Sequence, residues 1–176
     1  ISPGLYDRSK PRYYHGGDFN GVTSKLPYLK DLGITAVWLN PWYDNVNHLN
    51  HKETYDNQPV TDYHGYGAVD FYGVEEHFGS LADLQALVTR AHALGLKVVQ
   101  DQVANHVGSQ HPWVRDPPLN NWFHGTLVQH QLNKFRNSAL LSTHSNDQDI
   151  RNTLDGWFSD DLPDMNQDEP EVARYE

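Results

Sequence analysis

Apolar positions along the chain fall into two stretches with the same order of events. In the first, Leu26, Leu29 and Leu32 recur at helical spacing, Gly33 supplies a stop, and Ile34 to Leu39 form a β-rich run that ends at Asn40-Pro41. In the second, Ser80 with Asp83 three residues on predicts a helix start, and Leu81, Leu84, Leu87, Val88, Ala91 and Leu94 make one apolar stripe. Gly95 ends that helix, and Leu96 to Val99 read as a short buried strand. Helices that alternate with strands of unbroken apolar character predict a parallel sheet covered by helices, so the fold class is α/β.

What separates these units is long. About forty residues run from Pro41 to Gly79 and about sixty from His106 to Glu169, against the two to six of an ordinary connection. Both follow the carboxyl end of a strand, the face on which barrels and open α/β sheets bind ligands. The second begins with an abrupt change of character: the apolar run of Leu96 to Val99 passes into Asp101-Gln102-Val103-Ala104-Asn105-His106. At the other end, Asp168 is expected to cap a helix with Pro170 in its first turn and Glu171 at its positive end. A closed eight-stranded barrel takes about 250 residues, so a 176-residue chain with two clear strands is expected to hold only part of one.

Composition narrows the chemistry. Thirteen Lys and Arg against 23 Asp and Glu give a net charge of −10, which argues against a nucleic-acid partner. Five Trp and ten Tyr suit a carbohydrate ligand, because ring faces stack on sugars. The absence of cysteine rules out disulfides, a thiol nucleophile and a zinc–thiolate centre. No apolar run approaches the roughly 18 residues of a membrane span, so no membrane partner is expected, and the opening ISPGLYDRSK lacks the layout of a signal peptide. Eleven histidines show no i, i+4 pair with a nearby acid, and there is no G-x-S-x-G, phosphate loop or G-x-G-x-x-G.

Four stretches, in order, resemble the α-amylase superfamily of glycoside hydrolases over most of the chain. YYHGGDFNGVTSKLPYLKDLGITAVWLNP is similar to the family's first helix and second strand. YHGYGAVDFYGVEEHFGSLADLQALVTRAHALGLKVVQDQVANH is similar to its second helix and third strand, ending in D-x-x-x-N-H. LPDMN at 162–166 and EPEVARY resemble the end of the domain inserted after the third strand and the start of the next helix. Gly-Tyr-Gly at 65–67, HVGSQHPWVRDPP and GWF…LPDMNQ are most similar to cyclomaltodextrinase and neopullulanase-type members.

The resemblance implies a partial TIM (β/α)8 barrel with a long irregular insertion: residues 1–105 in the barrel, 106–167 in the inserted domain, and 168–176 returning to the barrel. It implies an α-glucan oligosaccharide or cyclodextrin substrate, cleaved with retention between two carboxylates about 5 Å apart. Tyr66 would stack on the sugar at the cleavage point, His106 donate to one of its hydroxyls, and Asp101 hold the floor of the site, with His64 also lining the pocket. Gly67 stands where the family often carries Trp. Asn105 and Asp164 would ligate Ca²⁺ through oxygen, and Gly16 and Asp18 match a second calcium loop. The family's catalytic acids follow later strands; K-F-R-N-S at 134–138 has Ser138 where the first would stand, so no catalytic carboxylate is expected in this chain and the 176 residues alone are expected to be inactive. Members act on external glucans, which implies a secreted or periplasmic setting. A non-catalytic carbohydrate-binding protein and a cyclodextrin-forming transferase are the alternatives.

Overall fold

Asp18 starts the first helix. Its Oδ1 accepts the amide of Gly21 at 2.6 Å, and α1 runs Phe19–Asp31. The computed structural model describes residues 7–135 and 137–176; the opening hexapeptide and Arg136 of K-F-R-N-S lie outside the described residues. After α1, Gly33 at φ 89 turns the chain into strand β1, Ala36–Leu39. The second unit repeats this order: a capping box between Ser80 and Asp83 opens α2 (Leu81–Ala93), and Gly95 at φ 73 closes it. With the intervening strands counted in chain order, the strand after α2 is β6, Lys97–Gln100, and it pairs in parallel with β1, Val37 opposite Val98.

The core of this part lies between the two helices and one face of the strand pair. Phe19, Leu84 and Leu87 cluster with Val22, Leu39 and Val98, while Leu26, Ala91 and Leu96 cluster with Val37 and Ile34. Two expectations need correcting. Leu32 is 62 % exposed and Leu81 57 %, because each sits at a helix end where the stripe has rotated away from the sheet; Phe19 and Val22 supply the contacts instead. The strands are not buried on both faces either. Trp38 is 71 % exposed and Val99 42 %, since α1 and α2 cover only the side carrying Val37, Leu39 and Val98.

The connection from Pro41 to Gly79 is itself folded. A short antiparallel pair joins β2 (Asp44–Asn45) to β5 (Ala68–Asp70), and a hairpin joins β3 (Asn50–Tyr55) to β4 (Gln58–Val60). The hairpin turns at Asp56 and Asn57, whose φ values of 51 and 59 suit a two-residue loop with both central residues left-handed.

The chain divides into two compact units after Gln102. In the second, Val107, Trp157, Met165 and Val172 are almost wholly inaccessible. Trp157 donates its indole N–H to the carbonyl of His124 at 2.6 Å and stacks on the His130 ring, centroids 3.8 Å apart. This unit carries little regular structure: a turn of 3₁₀ helix at Pro112–Val114, then α3 (Asn137–Leu141), α4 (Asp147–Leu154) and α5 (Pro170–Tyr175). Glu169, not Asp168, caps α5, its carboxylate accepting the Glu171 amide, because Pro170 already occupies the first helical position. Within this unit Tyr175 packs on Trp113 at 4.7 Å, so residues 168–176 cluster with the inserted segment. No helix among the described residues is long and apolar enough to cross a membrane.

Candidate functional site

Strand β6 delivers Asp101 one residue beyond its end, where the Asp101 amide still donates to the Leu39 carbonyl at 3.0 Å. In the first unit Asp101 meets Tyr66: the phenol donates to Oδ2 at 2.9 Å. That hydrogen bond is the main reason the Tyr66 hydroxyl titrates above its ordinary value, in keeping with a neutral phenol that donates to Asp101.

The loop that carries Tyr66 is held at nearly every residue. Gly65 has φ 87, and an added Cβ there would lie 2.1 Å from the Pro41 carbonyl oxygen, so the position excludes any side chain. The Gly65 amide donates to the Asp62 carbonyl at 2.9 Å, and the Tyr66 amide donates to His64 Nδ1 at 3.0 Å. Asn40 at the end of β1 donates to the His64 carbonyl at 3.0 Å. A Cβ on Gly67 would fall 2.2 Å from Asp62 Oδ2, so any side chain there requires the Asp62 carboxylate to move. His64 is pushed below its ordinary pKa by burial and, secondarily, by Arg12, in keeping with a neutral ring that accepts the Tyr66 amide.

In the second unit Asn105, His106 and Asp164 come together on neighbouring backbone. His106 bridges Asp164, and the Met165 amide donates to the Asn105 carbonyl at 2.9 Å. Asp164 is 1 % exposed. Its Oδ2 meets His124 Nδ1 at 2.8 Å, whereas Oδ1 is buried with no hydrogen-bond partner. Burial pushes the Asp164 carboxyl above its usual range, opposed by His124 and by the Asn105 amide; the same hydrogen bond raises His124. A buried carboxylate oxygen without a hydrogen-bond partner, next to an asparagine whose side-chain carbonyl oxygen can also ligate, suits a hard divalent cation. The residues therefore fit Ca²⁺ at Asn105 and Asp164. His106 itself is buried, its ring 5.4 Å from Phe158, with Nδ1 at 3.2 Å from the Asn105 amide nitrogen.

Gly16 and Asp18 lie elsewhere in the first unit, on a pocket of about 300 Å³ lined also by Tyr13, His15, Trp42 and Tyr63. Gly16 is left-handed at φ 82, and one oxygen of Asp18 is committed to the helix cap. Among the described residues a further group of possible ligands is Glu75, Glu76 and His77, but the Glu75 carboxylate already accepts the Asn45 and His77 amides. Asn45 and Glu75 are both buried polar residues, and no local signal in the sequence marks either of them.

Similarity to known proteins extends over nearly the whole chain. The alpha amylase catalytic domain matches residues 1–175. A cyclomaltodextrin glucanotransferase of Geobacillus stearothermophilus is 34 % identical over 93 % of this chain and 23 % of its own length. One from Klebsiella oxytoca is 41 % identical over 57 % of this chain and 15 % of its own. Among solved structures, an α-amylase of Geobacillus thermoleovorans complexed with acarbose superposes with a TM-score of 0.71 at 38 % identity, and one of Anoxybacillus with 0.72 at 39 %. Each alignment covers 96 % of this chain, which spans 32 and 31 % of those two proteins.

Proposed function

The chain belongs to the α-amylase catalytic-domain family, and on that premise we propose that it forms the substrate-holding part of an enzyme that cleaves α-1,4-glucosidic bonds. Its fold is α/β, part of a TIM barrel. The observation that carries the proposal is the Tyr66–Asp101 pair: an aromatic ring held by a carboxylate at the carboxyl end of a parallel strand, where barrels bind ligands. A planar ring offers its face to the C–H face of a pyranose, and Asp101 keeps the ring at one angle. His64 borders that ring, and His106 is the proposed donor to a sugar hydroxyl.

Chemistry in this reading is retaining hydrolysis, with a carboxylate nucleophile and a carboxylic general acid about 5 Å apart supplied by later strands of a longer protein. The present chain binds and orients. Calcium at Asn105 and Asp164 would tie the start of the second unit to its end, satisfying the orphaned Asp164 oxygen; Gly16 and Asp18 remain a second candidate. The substrate is a maltodextrin or cyclodextrin, and cyclomaltodextrinase-type specificity is the finer form of the proposal. The glucan is external, which favours a secreted or periplasmic enzyme. Transfer instead of hydrolysis is the second reading, favoured by the two glucanotransferases among the relatives.

The deciding experiment expresses the full reading frame that contains this chain and measures reducing-sugar release and cyclodextrin formation from soluble starch, beside the 176-residue chain alone. Activity in the long form and none in the short form is expected. No activity in the long form, with maltohexaose binding retained, would replace the enzyme reading by a carbohydrate-binding one.

A further inference from the structure

Beyond Tyr66 and Asp101, the first unit buries the polar side chains of Glu75 and Asn45. Glu75 is 0 % exposed and Asn45 1 %. A carboxylate taken that far from water must be satisfied by donors. Glu75 Oε2 accepts the Asn45 amide at 3.0 Å, Oε1 accepts the His77 amide at 3.1 Å and contacts His77 Nδ1, and the Glu75 amide donates to the Trp42 carbonyl at 3.0 Å. Asn45 then spans two segments with its side chain. Its Nδ2 donates to the Tyr43 carbonyl at 2.7 Å, and its Oδ1 accepts the amide of Gly67 at 3.0 Å.

Gly67 directly follows Tyr66, so a hydrogen-bonded chain runs from a buried acid to the backbone beside the stacking ring. The strand pairing alone is a poor anchor for that loop. β2 has two residues, and its register against β5 shifts between Asp44 and Asn45. A ladder this short and irregular specifies position weakly. The Asn45 side-chain carbonyl supplies the missing constraint by accepting the Gly67 amide, and Glu75 fixes Asn45 through its backbone N–H.

We infer that Asn45 and Glu75 are positioning residues for glucan binding, setting the Tyr66 loop so that its phenol reaches Asp101. The inference rests on the reading that Tyr66 stacks on a glucan ring. A role exerted through Tyr66 differs in energetics from a merely structural one: it disappears when the ring is gone.

The test is a double-mutant cycle in the full-length protein, with maltohexaose affinity measured by calorimetry at a temperature where every variant is folded. Asn45→Ala is expected to weaken binding about three- to tenfold, the effect of one buried hydrogen bond. In a Tyr66→Ala background the same change is expected to have no further effect. Glu75→Gln, which keeps one carbonyl acceptor, is expected to act in the same direction but less, and it stands in for Asn45→Ala in the cycle should that variant not fold. Unchanged affinity in the single variant, or losses that add in the double variant, overturns the positioning role. Wild-type protein that binds no maltohexaose overturns the glucan reading and this inference with it, whereas a binding wild type with additive losses overturns this inference alone.

Discussion

Calcium dependence offers a sharp test because of how Asp164 is buried. One of its carboxylate oxygens is paired with His124 and the other is buried without a partner, a burden on the order of 1–3 kcal/mol. A cation that binds only the folded state stabilises it by about 2.7 kcal/mol at a hundredfold excess over its dissociation constant. For a chain of 176 residues each kcal/mol moves the melting temperature by about 2–4 °C, so calcium is expected to raise it by about 5–11 °C over chelator. Asp164→Asn keeps an acceptor for His124 but loses the charge, and its melt is expected to respond little to calcium. Differential scanning calorimetry of both proteins in EDTA and in calcium reads the difference directly. Identical wild-type melts in the two buffers, or an equal shift in Asp164→Asn, would refute the assignment; the second outcome would move the ion to another site, with Asp18 the first to examine.

Other expectations follow from the loop around Tyr66. Tyr66→Phe keeps the ring but removes the 2.9 Å bond to Asp101, and because the pair is partly solvated the stability cost is expected at about 1 kcal/mol, with maltohexaose affinity falling several-fold; unchanged affinity by calorimetry would deny Asp101 its role. Gly65→Ala meets the Pro41 carbonyl at 2.1 Å and a φ of 87, so it is expected to lose roughly 1–3 kcal/mol in a urea melt, and a neutral result would contradict the loop geometry. The depressed pKa of His64 means the unfolded chain binds the proton more readily. Its contribution is therefore complete above the ordinary histidine value of 6.5 and is lost as pH falls through the lower folded value. The stability gap between wild type and His64→Asn should shrink on acidification below about pH 6.5, and a His64 titration by NMR centred above 6.5 would reverse the argument.

The elements easiest to read from sequence were those whose two ends carry their own chemistry. α2 announces itself through Ser80, Asp83 and Gly95, all local, and the structure has the cap, the stripe and the stop there. The D-x-x-x-N-H stretch stands out because an apolar strand ends there in acid, amide and imidazole, but the roles given to those residues come from the family resemblance and not from their spacing. Faces were harder. Periodicity shows that Trp38 and Val99 are apolar but not what covers them, and in this chain the helices cover only the other side of the strands; in a closed barrel that bare face points to the interior. The β3–β4 hairpin escaped because its strand is polar, with five of six residues exposed, so neither alternation nor an apolar run marked it, and Asp56-Asn57 was its only signal. Asn45 and Glu75 were invisible for a deeper reason. Nothing local distinguishes a buried carboxylate from a solvated one; its meaning lies in the backbone N–H of a residue thirty positions away and in the loop that the same residue's side chain holds. Candidates for touching a ligand can thus be nominated from a pattern, while residues that hold those candidates in place are found only once the chain has closed on itself.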